Sequence, residues 1–392
     1  MTRRPPDLFA PGLFEGTGFY DVFAWYREHD PVSWQHPAGE PDGFWSVTRY
    51  RDTVSVHRDS TRMSSTKGMR LGSTERAVRA VANKMLIVSD PPDHTRMKRV
   101  LSRPFSHEVL AAAEAHVEKV VGDVVAAAVR EPVPDLIGHL ARIPTDVICA
   151  IMELPRGDWE WIGRKTTEAF ESPSEVTRIT ANSEIFKYFY DLVRENRDTG
   201  ANGFVGGLTR LAGEGAGPTD EELVFNFAGI LAGGNETTRY TLASLTHQLA
   251  EHPDQWLRIA RGEVDPADAT EEALRWSVPG MHVMRTATEA LRVGDAEIAP
   301  GERVVTWIGS ANRDPEVFDD PDVFDVGRTG NRHVSFGAGR HVCLGSRLAR
   351  LEITAYLRAL RGMVGSIELT GPPRYNGSNF TWGLNELPAV LS

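Results

Sequence analysis

Residues 336–345 read Phe-Gly-Ala-Gly-Arg-His-Val-Cys-Leu-Gly, and residues 346–353 continue as Ser-Arg-Leu-Ala-Arg-Leu-Glu-Ile. The first run predicts an irregular loop, because glycine adopts backbone conformations that other residues avoid. The second run predicts an amphipathic helix, and the loop delivers Cys343 to its N-terminus. The first-turn N–H groups of a helix lack partners, and the helix dipole is positive at that end. Both effects stabilise a negative sulfur, so the pattern favours a thiolate at Cys343.

The same loop is suited to a flat ligand. Phe336 can pack beneath such a ligand while backbone N–H groups donate to the sulfur. A thiolate held in this way is one of the protein ligands of haem iron. A lone cysteine near a helix start is otherwise most often an ordinary buried residue. The complete ten-residue pattern argues against that alternative, and three further motifs strengthen the case.

The spacing of Phe336, Gly339, Cys343 and Gly345 resembles the haem loop of the cytochrome P450 family, and the following Leu-Ala-Arg-x-Glu resembles its proximal helix. The resemblance implies haem b bound through the Cys343 thiolate, with Phe336 and Gly345 in the cofactor-binding loop. It covers essentially the whole chain. It also implies a mainly α fold, a single helical domain with small β-sheets over residues 1–392.

Composition agrees with a globular protein that has an ample core: 41% of the 392 residues are hydrophobic and 25% are charged. No linker or internal repeat divides the chain. The net charge of −11 argues against nucleic acid as a partner.

Two cysteines cannot form a disulfide framework, and Cys149 lies in an apolar helical stretch that predicts a core position. Without a signal peptide or an apolar run of about 18 residues, we expect a cytoplasmic protein with no membrane anchor.

Residues 218–250 predict the longest helix, which contains Ala232-Gly233-Gly234-Asn235-Glu236-Thr237-Thr238. Two adjacent glycines inside a helix cost roughly 1 kcal/mol each, so we expect a bulge that opens space beside the cofactor. Glu236 and Thr237 pair a carboxylate with a hydroxyl that could relay protons. The alternative is a solvent-facing Glu beside a Thr bonded to the preceding turn. The motif resembles the family's oxygen-activating helix, which implies catalytic roles for Glu236 and Thr237.

Residues 90–99 read Asp-Pro-Pro-Asp-His-Thr-Arg-Met-Lys-Arg and predict a helix with proline in its first turn. His94 and Lys98 are four residues apart and share a helix face. The segment resembles the family's haem-contacting helix, which implies that His94 and Lys98 bind a haem propionate. The family usually has arginine at the second position. Lys98 keeps the charge without the bidentate fork, so Arg99 could take part.

Glu272-Ala-Leu-Arg275 places Glu and Arg three apart on one helix, a weak signal by itself. The resemblance adds Arg328 and implies that Glu272, Arg275 and Arg328 form a buried charge network that holds the cysteine loop. It also implies propionate contacts from Arg285 and His341.

The segment from Ser60 to Ser89 shows no sustained period, and long loops of this kind are usually functional. In the resembled family the corresponding segment caps the substrate cavity. The candidate pocket residues, mostly apolar, are Met69, Met85, Leu86, Ala232, Gly233, Val278, Met281, His282, Met284 and Phe380. Arg70 and His282 are the candidate polar contacts. This set fits a natural-product intermediate, free or tethered to a carrier protein, and equally a terpenoid, a fatty acid or an aromatic compound.

The resemblance implies a haem-thiolate monooxygenase that uses O2 to oxidise a small organic molecule such as a secondary metabolite, lipid or terpenoid. Its electrons would come from NAD(P)H through a separate ferredoxin or flavodoxin and its reductase. The basic residues that suggest either a docking patch for an acidic carrier or a solvated helix face are Arg96, Lys98, Arg99, Arg103, Arg340, Arg347 and Arg350.

Two alternatives remain open. An enzyme of the same fold could perform peroxide-driven oxidation, phenol coupling or N-oxidation, and the intact Glu236-Thr237 pair weighs against the peroxide case only. A non-catalytic binding module of the same fold would be expected to lose Cys343 or that pair, and both are present.

Overall fold

The structure is a computed structural model that describes residues 6–10, 12–37, 42–131, 135–172, 174–199, 203–213 and 217–392. Helices account for most of it and carry the site. They are α1 (Phe19–His29), α2 (Tyr50–Arg58), α3 (Glu75–Val81), α4 (Asp93–Leu101), α5 (His107–Arg130), α6 (Ile137–Ile151), α7 (Trp159–Glu171), α8 (Glu175–Thr199), α9 (Gly203–Gly213), α10 (Asp220–Glu251), α11 (Pro253–Ala260), α12 (Pro266–Ser277), α13 (Ile308–Ala311) and α14 (Ser346–Met363).

The strands form one sheet of five and three pairs, with the order β1-β2-β7-β4-β3 in the larger sheet. Only β2 and β7 pair in parallel there. The strands are β1 (Val32–Gln35), β2 (Phe44–Val47), β3 (Met63–Ser64), β4 (His282–Ala287), β5 (Leu291–Val293), β6 (Ala296–Ile298), β7 (Arg303–Trp307), β8 (Ile367–Leu369), β9 (Arg374–Tyr375), β10 (Leu384–Glu386) and β11 (Ala389–Leu391). The predicted mainly α fold with small sheets is confirmed.

Helix α10 is the central element of the helical core. Its N-terminus is fixed by a capping box, in which Thr219 Oγ1 accepts from the Glu222 N–H and the Glu222 carboxylate accepts from the Thr219 N–H. The helix packs against α6, α8, α12 and α14, and the largest apolar cluster gathers around these elements. A second apolar cluster, which includes Phe19, Phe23 and Trp307, joins α1 to the larger sheet.

The segment from Ser60 to Ser89 is more ordered than its sequence suggests. It contains β3, α3 and a short 3-10 turn at Leu86–Val88. Helix α3 has no buried residue, so its sequence needs no regular spacing of apolar side chains. Its N-terminus is capped by Thr74, whose side chain accepts a hydrogen bond from the Ala77 N–H. The turn at its far end is held to α10, because Asn226 Oδ1 accepts from the Leu86 N–H at 2.8 Å and its amide donates to Lys84 O at 2.9 Å.

In the part of the chain that the structure describes, no helix is both long enough and apolar enough to span a membrane.

Candidate active site

The loop before α14 folds tightly around Cys343. The Cys343 N–H donates to Phe336 O at 3.0 Å, and the N–H groups of Gly345 and Ser346 donate to its sulfur. Gly339 has a φ of +71°, and a Cβ there would lie 2.6 Å from the carbonyl oxygen of His57 in α2. Glycine is therefore required at 339 both for its backbone conformation and for the approach to α2.

Cys343 is exposed at its surface and at the same time has protein atoms on most sides. The residue is exposed, yet burial among protein atoms raises the pKa of its thiol. The N–H groups of Gly345 and Ser346 and the charges of Lys98 and Arg350 act in the opposite direction. Gly233, in the middle of α10, is likewise accessible although that helix is packed on several sides. Accessible groups inside a packed core mark an internal cavity, and the chemistry of a sulfur with two N–H donors fits a metal-bound thiolate.

The two adjacent glycines of α10 have different surroundings. A Cβ at Gly234 would lie 3.2 Å from Ile148, so this glycine permits the close approach of α6. A Cβ at Gly233 would meet nothing within 4 Å. The helix runs without interruption through both residues, and the predicted bulge is absent. Open space beside the helix arises from the missing side chain at 233.

Glu236 and Thr237 point to different environments. The Thr237 hydroxyl, partly exposed, donates to Gly233 O at 2.5 Å. The Glu236 carboxylate is buried and accepts from Arg239 Nη2 at 2.6 Å, with both side chains 2% exposed. Burial raises the pKa of Glu236. In this conformation the hydroxyl lies at the accessible side of α10 and the carboxylate lies in the core.

The predicted propionate ligands form a cluster of basic groups. The rings of His94 and His341 are 4.2 Å apart, His341 Nε2 lies 3.1 Å from Ser65 Oγ, and Arg285 is buried. Burial, followed by the charges of neighbouring cations, lowers the pKa of His94 to about 4 and that of His341 to about 2. Burial also lowers the pKa of Arg285 to about 10, opposed by the charge of Asp90. Three N–H donors gathered in this way, one of them a buried guanidinium, fit a bound dianion, which haem supplies through its propionates.

Lys98 lies beside the cysteine loop. Its ammonium group donates to the carbonyl oxygens of Arg340 and, at 3.2 Å, Val342, and so ties α4 to the loop. Arg99 is exposed and makes no ion pair within the described residues. The cysteine loop therefore depends on Lys98 for two of its backbone contacts.

The predicted network of Glu272, Arg275 and Arg328 is assembled in the structure. Arg275 binds Glu272 through two hydrogen bonds of 2.7 Å, with both side chains fully buried. Arg328 Nε and Asn331 Nδ2 donate to the same carboxylate at 3.2 and 3.0 Å. The remaining Arg275 donors reach the carbonyl oxygens of Asn312, Pro321 and Val323. Every oxygen and nitrogen at the centre is thus engaged.

Asn312 connects this network to the cysteine loop and was missed from the sequence. Its backbone oxygen accepts from Arg275, and its side chain donates to Arg275 O and Ser335 Oγ and accepts from the Val334 N–H. Ser335 Oγ in turn donates to Leu274 O at 2.6 Å. The only sequence signal was the turn-like run Asn312-Arg313-Asp314-Pro315, which does not reveal these partners.

A second cluster around Phe336 was also missed. Glu271 binds Arg350 through contacts of 2.6 and 3.0 Å and His333 Nε2 at 3.1 Å, and the Arg350 guanidinium lies 4.7 Å from the Phe336 ring centroid. Burial acts to raise the pKa of Glu271, but hydrogen bonds and charge from His333 and Arg350 outweigh it and lower the pKa to about 2. Arg350 therefore binds Glu271 and packs on Phe336, whereas its place in the sequence suggested a docking patch for an acidic electron carrier.

The candidate pocket residues fall into two groups. Those that are accessible or partly buried are Met69, Met85, Leu86, Ala232, Gly233 and Phe380. Those that are buried are Val278, Met281, His282 and Met284. Met281 and Met284 belong to the apolar cluster of Trp307, and Val278 packs with Ile308. His282 donates through Nδ1 to Asn379 O at 2.7 Å and accepts from the Leu71 N–H at 3.1 Å, so both ring nitrogens are occupied.

Residues 268–360 match a family model described as Cytochrome P450. Among curated proteins, the chain is 34% identical to cytochrome P450 NovI of Streptomyces niveus, over 98% of this chain and 96% of that protein. It is 32% identical to linalool 8-monooxygenase of Pseudomonas putida, over 98% of each.

Two solved structures resemble it closely. One is P450 OxyD, involved in the biosynthesis of vancomycin-type antibiotics, with a TM-score of 0.92 and 31% identity over 99% of this chain and 100% of the other. The other is P450BioI in complex with hexadec-9Z-enoic acid ligated acyl carrier protein, with a TM-score of 0.84 and 26% identity over 96% of this chain and 100% of the other.

Replacing Glu272 by alanine leaves the Arg275 guanidinium buried without its carboxylate. We expect a loss of about 3–5 kcal/mol in the free energy of unfolding, accompanied by loss of bound haem. Urea unfolding and the ratio of Soret to protein absorbance measure the two effects. Glu263→Ala is the control, because its carboxylate makes only an exposed contact of 3.9 Å with Arg261. A Glu272→Ala protein that purifies fully loaded with haem contradicts the assigned role.

Acid should weaken the Glu271 cluster. The Glu271 pKa is lowered from 4.5 to about 2, so its contribution to folding is complete above pH 4.5 and is lost as the pH falls towards 2. The difference in unfolding free energy between the wild type and Glu271→Gln should therefore shrink as the pH falls through that interval. Urea titrations at stepped pH measure it. Glu75→Gln, which alters an exposed pair with Arg79, should show no such trend; a pH-independent difference for Glu271→Gln contradicts the assignment.

Proposed function

The chain belongs to the cytochrome P450 family, and from this premise we propose that the Cys343 thiolate would hold the haem iron of a monooxygenase that oxidises a small organic molecule. The observation that carries the proposal is the accessible Cys343 sulfur, which accepts hydrogen bonds from the N–H groups of Gly345 and Ser346. Haem bound through this thiolate supplies the activation of O2 for transfer of one oxygen atom to the substrate.

The protein prepares Cys343 for this role by fixing its loop from three directions. Lys98 holds the loop carbonyls from α4, and Asn312 holds Val334 and Ser335 from the Glu272–Arg275 network. Arg350 covers Phe336 from α14. With the loop immobile, the N–H groups at 345 and 346 stay aimed at the sulfur and stabilise its negative charge.

The basic cluster is proposed to bind the haem propionates. His94, His341 and Arg285 are buried or partly buried, and Asp90, whose charge acts on His94 and Arg285, is already engaged by Ser64 Oγ at 2.5 Å and the Ser65 N–H at 2.9 Å. A dianion placed here meets three N–H donors, and its charge favours their protonated forms.

Thr237 is proposed to pass protons in the space beside α10 where the cofactor would be held. Its hydroxyl lies on the accessible face of α10, where it can accept a hydrogen bond from water while donating to Gly233 O. Glu236 is proposed as the group that exchanges protons with Thr237 when its carboxylate leaves Arg239. Acid–base groups of this kind contribute on the order of 10²–10⁴-fold to a rate.

Electrons are proposed to arrive from NAD(P)H through a ferredoxin or flavodoxin and its reductase. Four exposed cations near the cysteine loop make no ion pair within the described residues: Arg99, Arg103, Arg340 and Arg347. Because Lys98 joins α4 to the loop, Arg99 and Arg340 lie on adjoining elements. A cationic surface of this kind fits an acidic electron carrier.

We also propose that the enzyme lies in the cytoplasm, since its two cysteines are both free thiols suited to a reducing compartment.

The substrate is proposed to be a natural-product intermediate, presented by a carrier protein. Two neighbours support this: OxyD takes part in antibiotic biosynthesis, and P450BioI is bound to an acyl carrier protein. The accessible pocket residues are apolar except for the backbone at Gly233, which suits an organic chain or ring.

The absorption spectrum of the reduced protein with carbon monoxide tests the ligand. We expect the strongly red-shifted Soret band of thiolate-ligated haem in the wild type. Cys343→Ser should lose that band, while Cys149→Ser, a control at a buried free cysteine, should retain it. A spectrum typical of imidazole ligation in the wild type contradicts the proposal and favours a non-catalytic module.

Removal of the Thr237 hydroxyl tests the proton route. With a ligand that shifts the haem spin state and a surrogate ferredoxin system, Thr237→Ala should oxidise NADPH but release more hydrogen peroxide, with product reduced on the order of tenfold or more. Thr237→Ser keeps the hydroxyl and should behave like the wild type. An unchanged ratio of peroxide to NADPH in Thr237→Ala contradicts the role.

A further inference from the structure

Arg70 lies between β3 and α3, and its guanidinium has no carboxylate partner among the described residues. Its one hydrogen bond is weak, from Nε to Ser73 Oγ at 3.3 Å. The guanidinium carbon lies 5.2 Å from the ring centroid of Phe380, which orients the group by a cation–π contact. Both terminal nitrogens of Arg70 are thus free to donate to a ligand.

The backbone on either side of Arg70 is fixed to β4. The Met284 N–H donates to Met69 O at 2.8 Å, and the Leu71 N–H donates to His282 Nε2 at 3.1 Å. Leu71 is buried in the apolar cluster of Trp307, whereas Arg70 is accessible on the side of Phe380. The strand-like anchoring therefore holds the guanidinium at a defined position instead of leaving it on a mobile loop.

Enough protein surrounds Arg70 to disfavour its charge. Desolvation lowers the pKa of the guanidinium, and no acidic group opposes this shift. His282, the other candidate polar contact, has both ring nitrogens occupied by backbone groups. Arg70 thus offers an uncompensated charge and two free terminal nitrogens beside Phe380, a candidate pocket residue, and such a group is suited to bind an anion.

We propose that Arg70 binds an oxyanion of the substrate, a carboxylate or a phosphate, beside Phe380 at the edge of the pocket. The inference rests on the proposed function, since it takes the cavity of Cys343 and Phe380 to be one substrate site. The planar fork of arginine matches the paired oxygens of either anion. The carboxylate would belong to the substrate itself, and the phosphate to the arm of a carrier protein.

Imidazoles that coordinate haem iron test the proposal without knowledge of the substrate. The probes are 1-alkylimidazoles of increasing chain length that end in a carboxylate, a phosphate or a neutral hydroxyl. Spectral titration of the holoenzyme gives a Kd for each. At the chain length that reaches Arg70, the wild type should bind an anionic probe roughly tenfold to hundredfold more tightly than the alcohol.

The variants Arg70→Gln and Arg70→Lys decide the origin of any preference. Glutamine should abolish it, lysine should retain part of it, and the control Arg79→Gln, which removes an exposed charge paired with Glu75, should leave it unchanged. A carboxylate preference identifies an acidic substrate, and a stronger phosphate preference identifies a carrier arm. Equal binding of acids and alcohols at every chain length, or a preference that survives Arg70→Gln, overturns the proposal. If the reduced holoenzyme with carbon monoxide lacks the red-shifted Soret band, the haem-thiolate assignment itself fails, a result distinct from loss of anion preference.

Discussion

The buried ion pair between Glu272 and Arg275 is the interaction on which the rest of the site depends. Two fully buried charges are unfavourable unless their remaining hydrogen-bonding groups are satisfied. Here they are: Arg328, Asn331 and the Asp325 N–H complete the carboxylate, and three carbonyl oxygens complete the guanidinium. The pair therefore organises a stretch of irregular backbone that no helix or strand would otherwise hold.

The adjacent position, Glu271, serves the opposite side of the same helix turn. Successive residues of a helix point in directions about 100° apart, so Glu272 faces the core while Glu271 reaches His333 and Arg350 at the edge of the cysteine loop. The same turn of α12 therefore contacts the cysteine loop through two sets of residues. Glu272 and Arg275 act through Asn312, and Glu271 acts through Arg350, which lies against Phe336. The loop that carries Cys343 has little regular secondary structure. Contacts from the side chains of Asn312 and Arg350, and not backbone hydrogen bonds between strands, hold it in place.

Local patterns were sufficient for the features that depend on spacing along the chain. The Cys343 loop, the long helix α10 and the Glu272–Arg275 pair are each encoded within a few residues, and the sequence could predict them. Features that depend on distant partners could not be found in this way. Asn312 contacts Ser335, Lys98 contacts the carbonyls of the cysteine loop, and Gly234 is explained only by Ile148 of α6. Helix α3 escaped prediction for another reason, because an exposed helix needs no apolar face.

Helix α10 shows how one regular element can serve three purposes without being broken. Gly234 admits α6, Glu236 pairs with Arg239 in the core, and Thr237 stays at the accessible face. Because α10 remains a continuous helix, Glu236 and Thr237 cannot face the same space while Glu236 remains bound to Arg239. Any proton that passes between them requires the carboxylate to leave a buried partner, a step opposed by about 3–5 kcal/mol when nothing replaces it. In the proposed proton route, the ion pair therefore determines when the Glu236 carboxylate is available, and the position of the Thr237 hydroxyl determines where the proton would be delivered.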